Sequence, residues 1–360
     1  MTACDILVSG TGGFAARIAF DIAATAQQPV NIVIAGRNRS RLDWLRTAAN
    51  ARAAIFGRSA RFGSFAIDLL EPDAAPRLLA ATQPRVVVQA ASIQTSQVIA
   101  QSGNAWTRLV AEGGLSATAV FQALISSRVA AAITRAGRPT AFINCGFPDV
   151  VNGMITAQGH AVACGMGNVA ILSNVFAGSA SVRPGAAVKT LAHYQTIAAW
   201  RRPPAERGGP TPRVWVDGAE VEDVFARFAD VQLTPEPAIE ISGASGVPMM
   251  LAMASGGDWR GHVPGPNGLP GGYPVALCAG KVTLDLPAGV SADEAVAWNR
   301  AFEERNGLTV EADGKVVYTG RLREGLAAHD AELAEGFHIA DLETVCTKML
   351  ALRDRLMALP

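Results

Sequence analysis

Four side chains can hold or release a proton at a reacting centre, and they form two groups: His262 with Tyr273, and His193 with Tyr194. A histidine titrates near neutrality, and either residue type can protonate an alkoxide or amine formed from a carbonyl or imine. His262 and Tyr273 are the preferred donors, because the run from His262 to Pro274 is dense in proline and glycine and reads as a loop forming the lid or floor of a cleft. His193 and Tyr194 are nearly as good. For each of the four, the competing account is a structural residue whose polar atoms are satisfied. Cys145 has no histidine near it in the sequence to activate a thiolate, so it reads as a small apolar residue.

Other reaction classes lack their groups. No tyrosine is followed four positions later by lysine, since Tyr194, Tyr273 and Tyr318 meet Ala198, Leu277 and Leu322. There is no His-Glu-x-x-His pair, no phosphate loop ending in Gly-Lys-Ser/Thr, and no His/Cys cluster spaced to hold a metal. Five scattered cysteines suggest neither a disulfide framework nor a metal knuckle, and they read as free thiols of a reducing, cytoplasmic setting. The start, MTACDILVSG, lacks the basic and apolar regions of a secretory signal. No stretch reaches about 18 uninterrupted apolar residues, so no membrane span is expected.

A glycine turn supplies a different kind of chemistry. Strand residues Ile6-Leu7-Val8 run into Gly10-Thr11-Gly12-Gly13-Phe14-Ala15, a GxGxxA pattern at a strand-to-helix junction. In such a turn the first glycine permits the tight bend, the second lets a diphosphate approach the backbone, and a small residue at Ala15 lets the helix pack on the strand. The free N–H groups of the helix start favour an anion. About 20 residues further on, where a carboxylate would hold the ribose hydroxyls of NAD, the chain instead reads Gly36-Arg37-Asn38-Arg39. Arg37 can pair with a 2′-phosphate, with Arg39 or Arg41 in reserve, so the expected cofactor is NADP(H).

These residues need a scaffold, and the alternation of short β-branched runs with Ala/Leu/Arg stretches over residues 5 to 150 supplies one. Strands are expected at 5–9, 30–35, 63–67, 85–91, 140–145 and 161–164, with helices at 13–27, 39–50, 72–82 and 116–137. The fold class is α/β: a doubly wound parallel Rossmann sheet over 1–168, an α+β substrate or dimerisation domain over 169–340, and a helix within 341–360 that the sequence cannot dock. In the second domain strands are expected at 187–196, 213–217, 274–286 and 308–318, and helices at 237–254 and 292–305.

The segments ILVSGTGGFAARIA, NIVIAGRNRSRL and VVVQAAS resemble the saccharopine dehydrogenase-like NAD(P)-binding oxidoreductases over roughly residues 5 to 95. The resemblance implies dinucleotide handling and specifies the substrate poorly, and Asn104 to Gln122 departs from it as an insertion-like loop. Ligands of such sheets gather beyond the carboxyl ends of the strands. That rule singles out Ala90, Ala91 and Ser92 with Gln94, then Asn144 with Asp149 and Asn152, then Asn168 as a group for a carboxamide. Asp149 and Asn152 have an equal claim as helix caps.

The charge balance of 31 basic and 31 acidic residues offers no field for nucleic acid or an anionic membrane, so the expected partner is a small molecule. A homodimer is compatible with the sequence. The expected function is NADP(H)-dependent hydride transfer to or from C=O or C=N of a small polar metabolite such as an oxo acid, imine or amino acid. The alternative is a non-catalytic NADP(H) sensor or scaffold.

Overall fold

The computed structural model describes residues 4–94, 98, 103–233 and 238–360. Met1 to Ala3 and Pro237, the first residue of the expected 237–254 helix, lie outside the described residues. Six parallel strands form the central sheet: β1 (Ile6–Ser9), β2 (Val30–Gly36), β3 (Ala60–Ala66), β4 (Val86–Gln89), β5 (Ala141–Asn144) and β6 (Cys164–Gly165). Their order is β3-β2-β1-β4-β5-β6, so chain direction across the sheet reverses between β1 and β4. The helices α1 (Gly13–Thr25), α2 (Arg39–Ile55), α3 (Ala74–Thr82), α4 (Ala105–Gly113), α5 (Ala119–Ala136) and α6 (Val150–Ala157) belong to the same half.

The strands are short apolar runs because both faces of the sheet are covered. Ile6 and Val8 enter one core with α1 and α2, whereas Leu7 between them enters the other with α4, α5 and α6. The second half of the chain completes both layers. On the first face lie α10 (Val247–Ser255) and the antiparallel sheet of β10 (Trp259–Pro264), β11 (Gly272–Cys278) and β12 (Lys281–Leu284). On the second lie the sheet of β13 (Gly307–Val310), β14 (Lys315–Thr319) and β15 (Phe337–His338), and the helices α12 (Gly320–Ala327), α13 (Ala331–Ala334) and α14 (Leu342–Met357). A third core joins α7 (Val169–Ala177), α8 (Val224–Arg227) and the sheet of β7 (Val188–Leu191), β8 (Arg213–Val216) and β9 (Ala219–Glu220). The remaining helices are α9 (Ile239–Ser245) and α11 (Ala292–Arg305).

Several sequence expectations are corrected. The insertion-like loop 104–122 contains α4, capped by Asn104, whose carboxamide accepts from Thr107 N at 2.9 Å, and ended by Gly114 at φ 94°. The proline- and glycine-rich run 262–274 is a hairpin, with His262 opposite Pro274 across β10 and β11 and one short 3₁₀ turn at its tip. Strand 187–196 stops at Leu191, because His193 accepts from Gln195 N and starts a 3₁₀ helix at Tyr194–Arg201. The expected strands 274–286 and 308–318 are each two strands. In the first, Ala279-Gly280 supply the two positive φ angles of a two-residue hairpin. The sixth strand lies at Cys164–Gly165 rather than 161–164.

The segment Leu115–Ala136 is long and apolar enough to cross a membrane, but 78% of its most apolar window is buried in the fold. The terminal helix α14 docks on α4 and α5, with Arg128 paired to Glu343 at 2.8 Å and Ala105 N bonded to Leu359 O at 3.1 Å. Leu352 of α14 is buried in the core it shares with α5. Leu352→Ala should therefore lower the unfolding free energy in urea, followed by circular dichroism, by about 2–5 kcal/mol. A loss below about 0.5 kcal/mol, the range of surface substitutions, would show that α14 is not integral to this core.

Candidate active site

The chain leaves β1 at Ser9 and turns at Gly10, whose φ of 120° and close approach to β4 both require glycine. A Cβ there would lie 3.0 Å from the carbonyl carbon of Ala90. Ala90 N donates to Ser9 O at 2.8 Å, so the loops after β1 and β4 run side by side. Gly12 occupies the N-cap position of α1 with no side-chain cap, and a Cβ there would meet nothing within 4 Å. Thr11 flanks it, Gly13 faces Ile239 of α9, Phe14 is half-buried, and Ala15 is buried against β1 as its size suggested. After β4, the Ser92 hydroxyl donates to Gln94 O at 2.7 Å. Gln94 is buried, and among the described residues both polar atoms of its side chain lack a partner.

At the end of β2, Gly36 makes room for Thr11, whose Cγ2 would lie 2.7 Å from a Cβ at 36. Arg37 is 71% exposed and 3.8 Å from Asp68, which follows β3. Asn38 caps α2 by accepting from Arg41 N at 3.0 Å. Arg41 reaches back across the turn, with Nε donating to Thr11 O at 3.3 Å. A cavity of about 480 Å³ between the ends of β2 and β3 is lined by Arg37, Arg39, Asp68, Glu71 and Arg77. Asp68, which no local motif singles out, brings a carboxylate to this cavity beside Arg37.

The carboxyl ends of β5 and β6 carry a buried polar network. Asn144 Oδ1 accepts from Ser126 Oγ at 2.8 Å and Gly146 N at 3.1 Å, and its Nδ2 donates to Asn152 Oδ1 at 2.8 Å. Asn152 in turn donates to Gly265 O at 2.9 Å, tying the β10–β11 hairpin to the sheet. Asp149 precedes α6 but makes no side-chain cap; its Oδ1 accepts instead from Asn168 Nδ2, and its Oδ2 has no partner among the described residues. Asn168 holds this position from a backbone at φ 43°. Burial pushes the Asp149 carboxyl up to about 6, against the lowering effects of His193 and the Asn168 bond, while Glu303 raises it further.

His193 and Tyr194 belong to the same buried cluster. His193 Nε2 is 3.0 Å from Glu303 Oε1, and its ring stacks on Phe302 with centroids 4.8 Å apart and an interplanar angle of 11°. Glu303 Oε2 accepts from Leu308 N at 2.9 Å and Ser116 Oγ at 3.2 Å, and Ser116 is 3.0 Å from the Tyr194 hydroxyl. Burial raises the Tyr194 hydroxyl well above the ordinary tyrosine range, with the Glu303 charge adding to it.

The other expected pair is engaged elsewhere. His262 Nε2 accepts from Thr190 N at 2.9 Å, and burial together with Lys189 lowers the ring to about 4, so it stays neutral. Tyr273 is fully buried and donates to Pro270 O at 2.5 Å. Cys145 faces Met166, and burial drives its thiol far up. Among the described residues, no group of three or more His, Cys, Asp or Glu is placed to hold a metal ion.

No family model and no curated protein matches the sequence. Solved structures do match over most of the chain. Lactate dehydrogenase from Cryptosporidium parvum, solved with lactic acid and β-nicotinamide adenine dinucleotide, is similar with a TM-score of 0.52 at 14% identity, covering 97% of this chain and 98% of that one. Malate dehydrogenase from Picrophilus torridus gives 0.54 at 15% identity over 84% and 95% of the two chains. A lactate dehydrogenase from a Medee basin deep-sea metagenome library gives 0.53 at 12% identity over 91% and 98%. The fold is that of the two-domain lactate and malate dehydrogenases.

The raised Asp149 carboxyl has a measurable consequence. A folded-state value above the unfolded one favours the fold at low pH, and this contribution is lost as pH climbs from about 4 through about 6. Asp149→Asn should therefore gain stability over wild type between about pH 4 and pH 8, by up to about 3 kcal/mol for a rise from 3.8 to about 6. Urea unfolding of both proteins at the two pH values measures it, and parallel stability curves would refute the assignment.

Proposed function

We propose that the chain is an NADP(H)-dependent oxidoreductase moving hydride to or from a C=O or C=N group of a small polar metabolite. The observation carrying this reading is that the open helix start at Gly12 and the buried Asp149–His193–Glu303 cluster both lie beyond the carboxyl ends of one parallel sheet. That edge is where such sheets place cofactor and substrate together. The motif resemblance over residues 5 to 95 supports the dinucleotide, and the shared dehydrogenase fold supports small oxo-acid chemistry.

The residues present fit the cofactor. Gly10 and Gly12 leave the α1 N–H groups open to a diphosphate, and the absence of an acidic residue in the first turn of α1 leaves that end positive. Arg37 would meet the 2′-phosphate, with Arg41 already lying over the turn and Arg39 lining the adjoining cavity. The backbone of Ala90 and Ala91 runs beside Gly10, and the Gln94 amide, unpaired among the described residues, is a suitable partner for a carboxamide. Asn144 and Asn168 support the site wall, since their side chains hold Ser126, Asn152 and Asp149. When bound, the nicotinamide supplies or accepts the hydride.

The protein's own contribution is proton control. Among the described residues Asp149 Oδ2 has no partner to compete with substrate, and a carboxyl raised to about 6 can both give and take a proton near neutrality. His193 is fixed in orientation by Glu303 and Phe302, and it opposes the rise of the Asp149 carboxyl. In this reading Asp149 gives or takes the proton, His193 is a positioning residue whose ring nitrogens are held by Glu303 and Gln195, and His262 and Tyr273 hold the hairpin that covers the site.

Two measurements test the proposal. Steady-state oxidation of NADPH with a panel of oxo acids and imines should show turnover, and its absence with every compound would favour the sensor. Calorimetric titration should show NADPH binding about ten- to hundredfold tighter than NADH, because a charge-assisted pair to Arg37 contributes about 1.5–3 kcal/mol. Arg37→Ala should reduce that preference. Equal affinity in wild type would remove NADP(H) specificity, and an unchanged preference in the variant would move the phosphate contact to Arg39 or Arg41.

A further inference from the structure

Among the described residues, acidic groups outnumber basic ones around Asp149. Two carboxylates, Asp149 and Glu303, face one histidine, and among the described residues neither is paired with a lysine or arginine. Glu303 is satisfied by His193, Leu308 N and Ser116, but Asp149 keeps one buried oxygen without a partner. An unpartnered carboxylate oxygen away from water is unfavourable, and a bound cation relieves it. The neighbouring cavity, of about 460 Å³ between α6, α11 and β13, has the same sign. Its lining includes Val150, the residue after Asp149, and carries Glu303, Glu304 and Glu311 against a single cation, Arg300.

We propose that the group bound against Asp149 is a positively charged nitrogen, so that the substrate pair is an iminium and its amine rather than a carbonyl and its alcohol. The inference rests on the dinucleotide reading above and narrows it. In the reductive direction the reduced nicotinamide delivers hydride to the C=N carbon, and the π pair moves onto nitrogen, leaving a neutral amine and the oxidised nicotinamide. That step requires no proton from the protein. The neutral amine then takes a proton from solvent, and the resulting ammonium pairs with the Asp149 carboxylate. An oxo acid would bring a carboxylate toward two others, with only Arg300 at the cavity wall to meet it. Asn168 fixes the direction of the Asp149 carboxylate, leaving Oδ2 as its free atom.

Matched probes separate the possibilities. With NADPH, kcat/KM should be at least tenfold higher for the N-methyl-1-pyrrolinium cation than for cyclopentanone or 2-oxopentanoate. With saturating NADP⁺, calorimetry should show pyrrolidinium binding at least tenfold tighter than cyclopentanol, and Asp149→Asn should abolish that difference while leaving NADPH affinity unchanged. Preference for 2-oxopentanoate or cyclopentanone, or equal binding of pyrrolidinium and cyclopentanol to wild type, would overturn the charge assignment and leave the dinucleotide reading intact. Failure of NADPH to bind would overturn both. If Asp149→Asn does not fold, the wild-type comparison of pyrrolidinium with cyclopentanol decides alone.

Discussion

The Glu303 carboxylate is the point to which the candidate site is tied. Its two oxygens meet His193 after β7, Ser116 in the turn before α5, and the backbone N–H of Leu308 at the start of β13. These segments are distant in sequence, yet one buried side chain fixes their spacing. A charge removed from water remains tolerable only when its lone pairs are met, and Glu303 achieves this with three donors. Gly307, at φ 153°, stands where any Cβ would collide with the same carboxylate, so the backbone after α11 is shaped around it. His193 therefore inherits its orientation from a helix more than a hundred residues downstream.

The glycine turn is governed by a different constraint. In the parallel sheet β1 lies between β2 and β4, and its carboxyl end is crowded by the loops of both neighbours. Gly10 lies against Ala90 and Gly36 against Thr11, so the absence of side chains here allows three strand ends to converge. What remains open is the α1 start at Gly12. Packing and ligand access are thus met by neighbouring glycines with separate duties, and the helix dipole points into the space that remains.

The parts of this arrangement legible in the sequence are those written in local spacing. The βαβ alternation, the GxGxxA turn and the missing carboxylate after β2 are short-range patterns, and the six-stranded parallel order follows from them with little freedom. Two segments misled for a physical reason. The glycines at 113 and 114 disguised α4, although Asn104 before a short amphipathic run was a capping signal. The prolines between 262 and 274 suggested an irregular loop, yet Pro264 and Pro274 fall within β10 and β11 with Pro264 paired to Gly272 and Pro274 to His262. Glu303 left a trace that spacing could have revealed. Ala295, Asn299 and Phe302 define the buried face of α11, and a glutamate at the next position shares it. The approach of Glu303 to His193 could not be read, since it depends on how the last quarter of the chain folds back.

Several local conflicts with packing rules fall at this site. Asn168 adopts a positive φ without being glycine, and Asp149 and Gln94 are buried with polar atoms unmet. Each is individually unfavourable, and a core selected for stability alone would replace them with apolar residues at little loss. Other atoms unpaired among the described residues, such as the indole nitrogens of Trp106 and Trp200, lie in apolar cores. By contrast, the Asn168 strain serves to aim its amide at Asp149, and Asp149 lies within reach of the fields of His193 and Glu303. Strain that orients a buried acid, beside a helix start left open, is the pattern of a site whose missing partners arrive with its ligands.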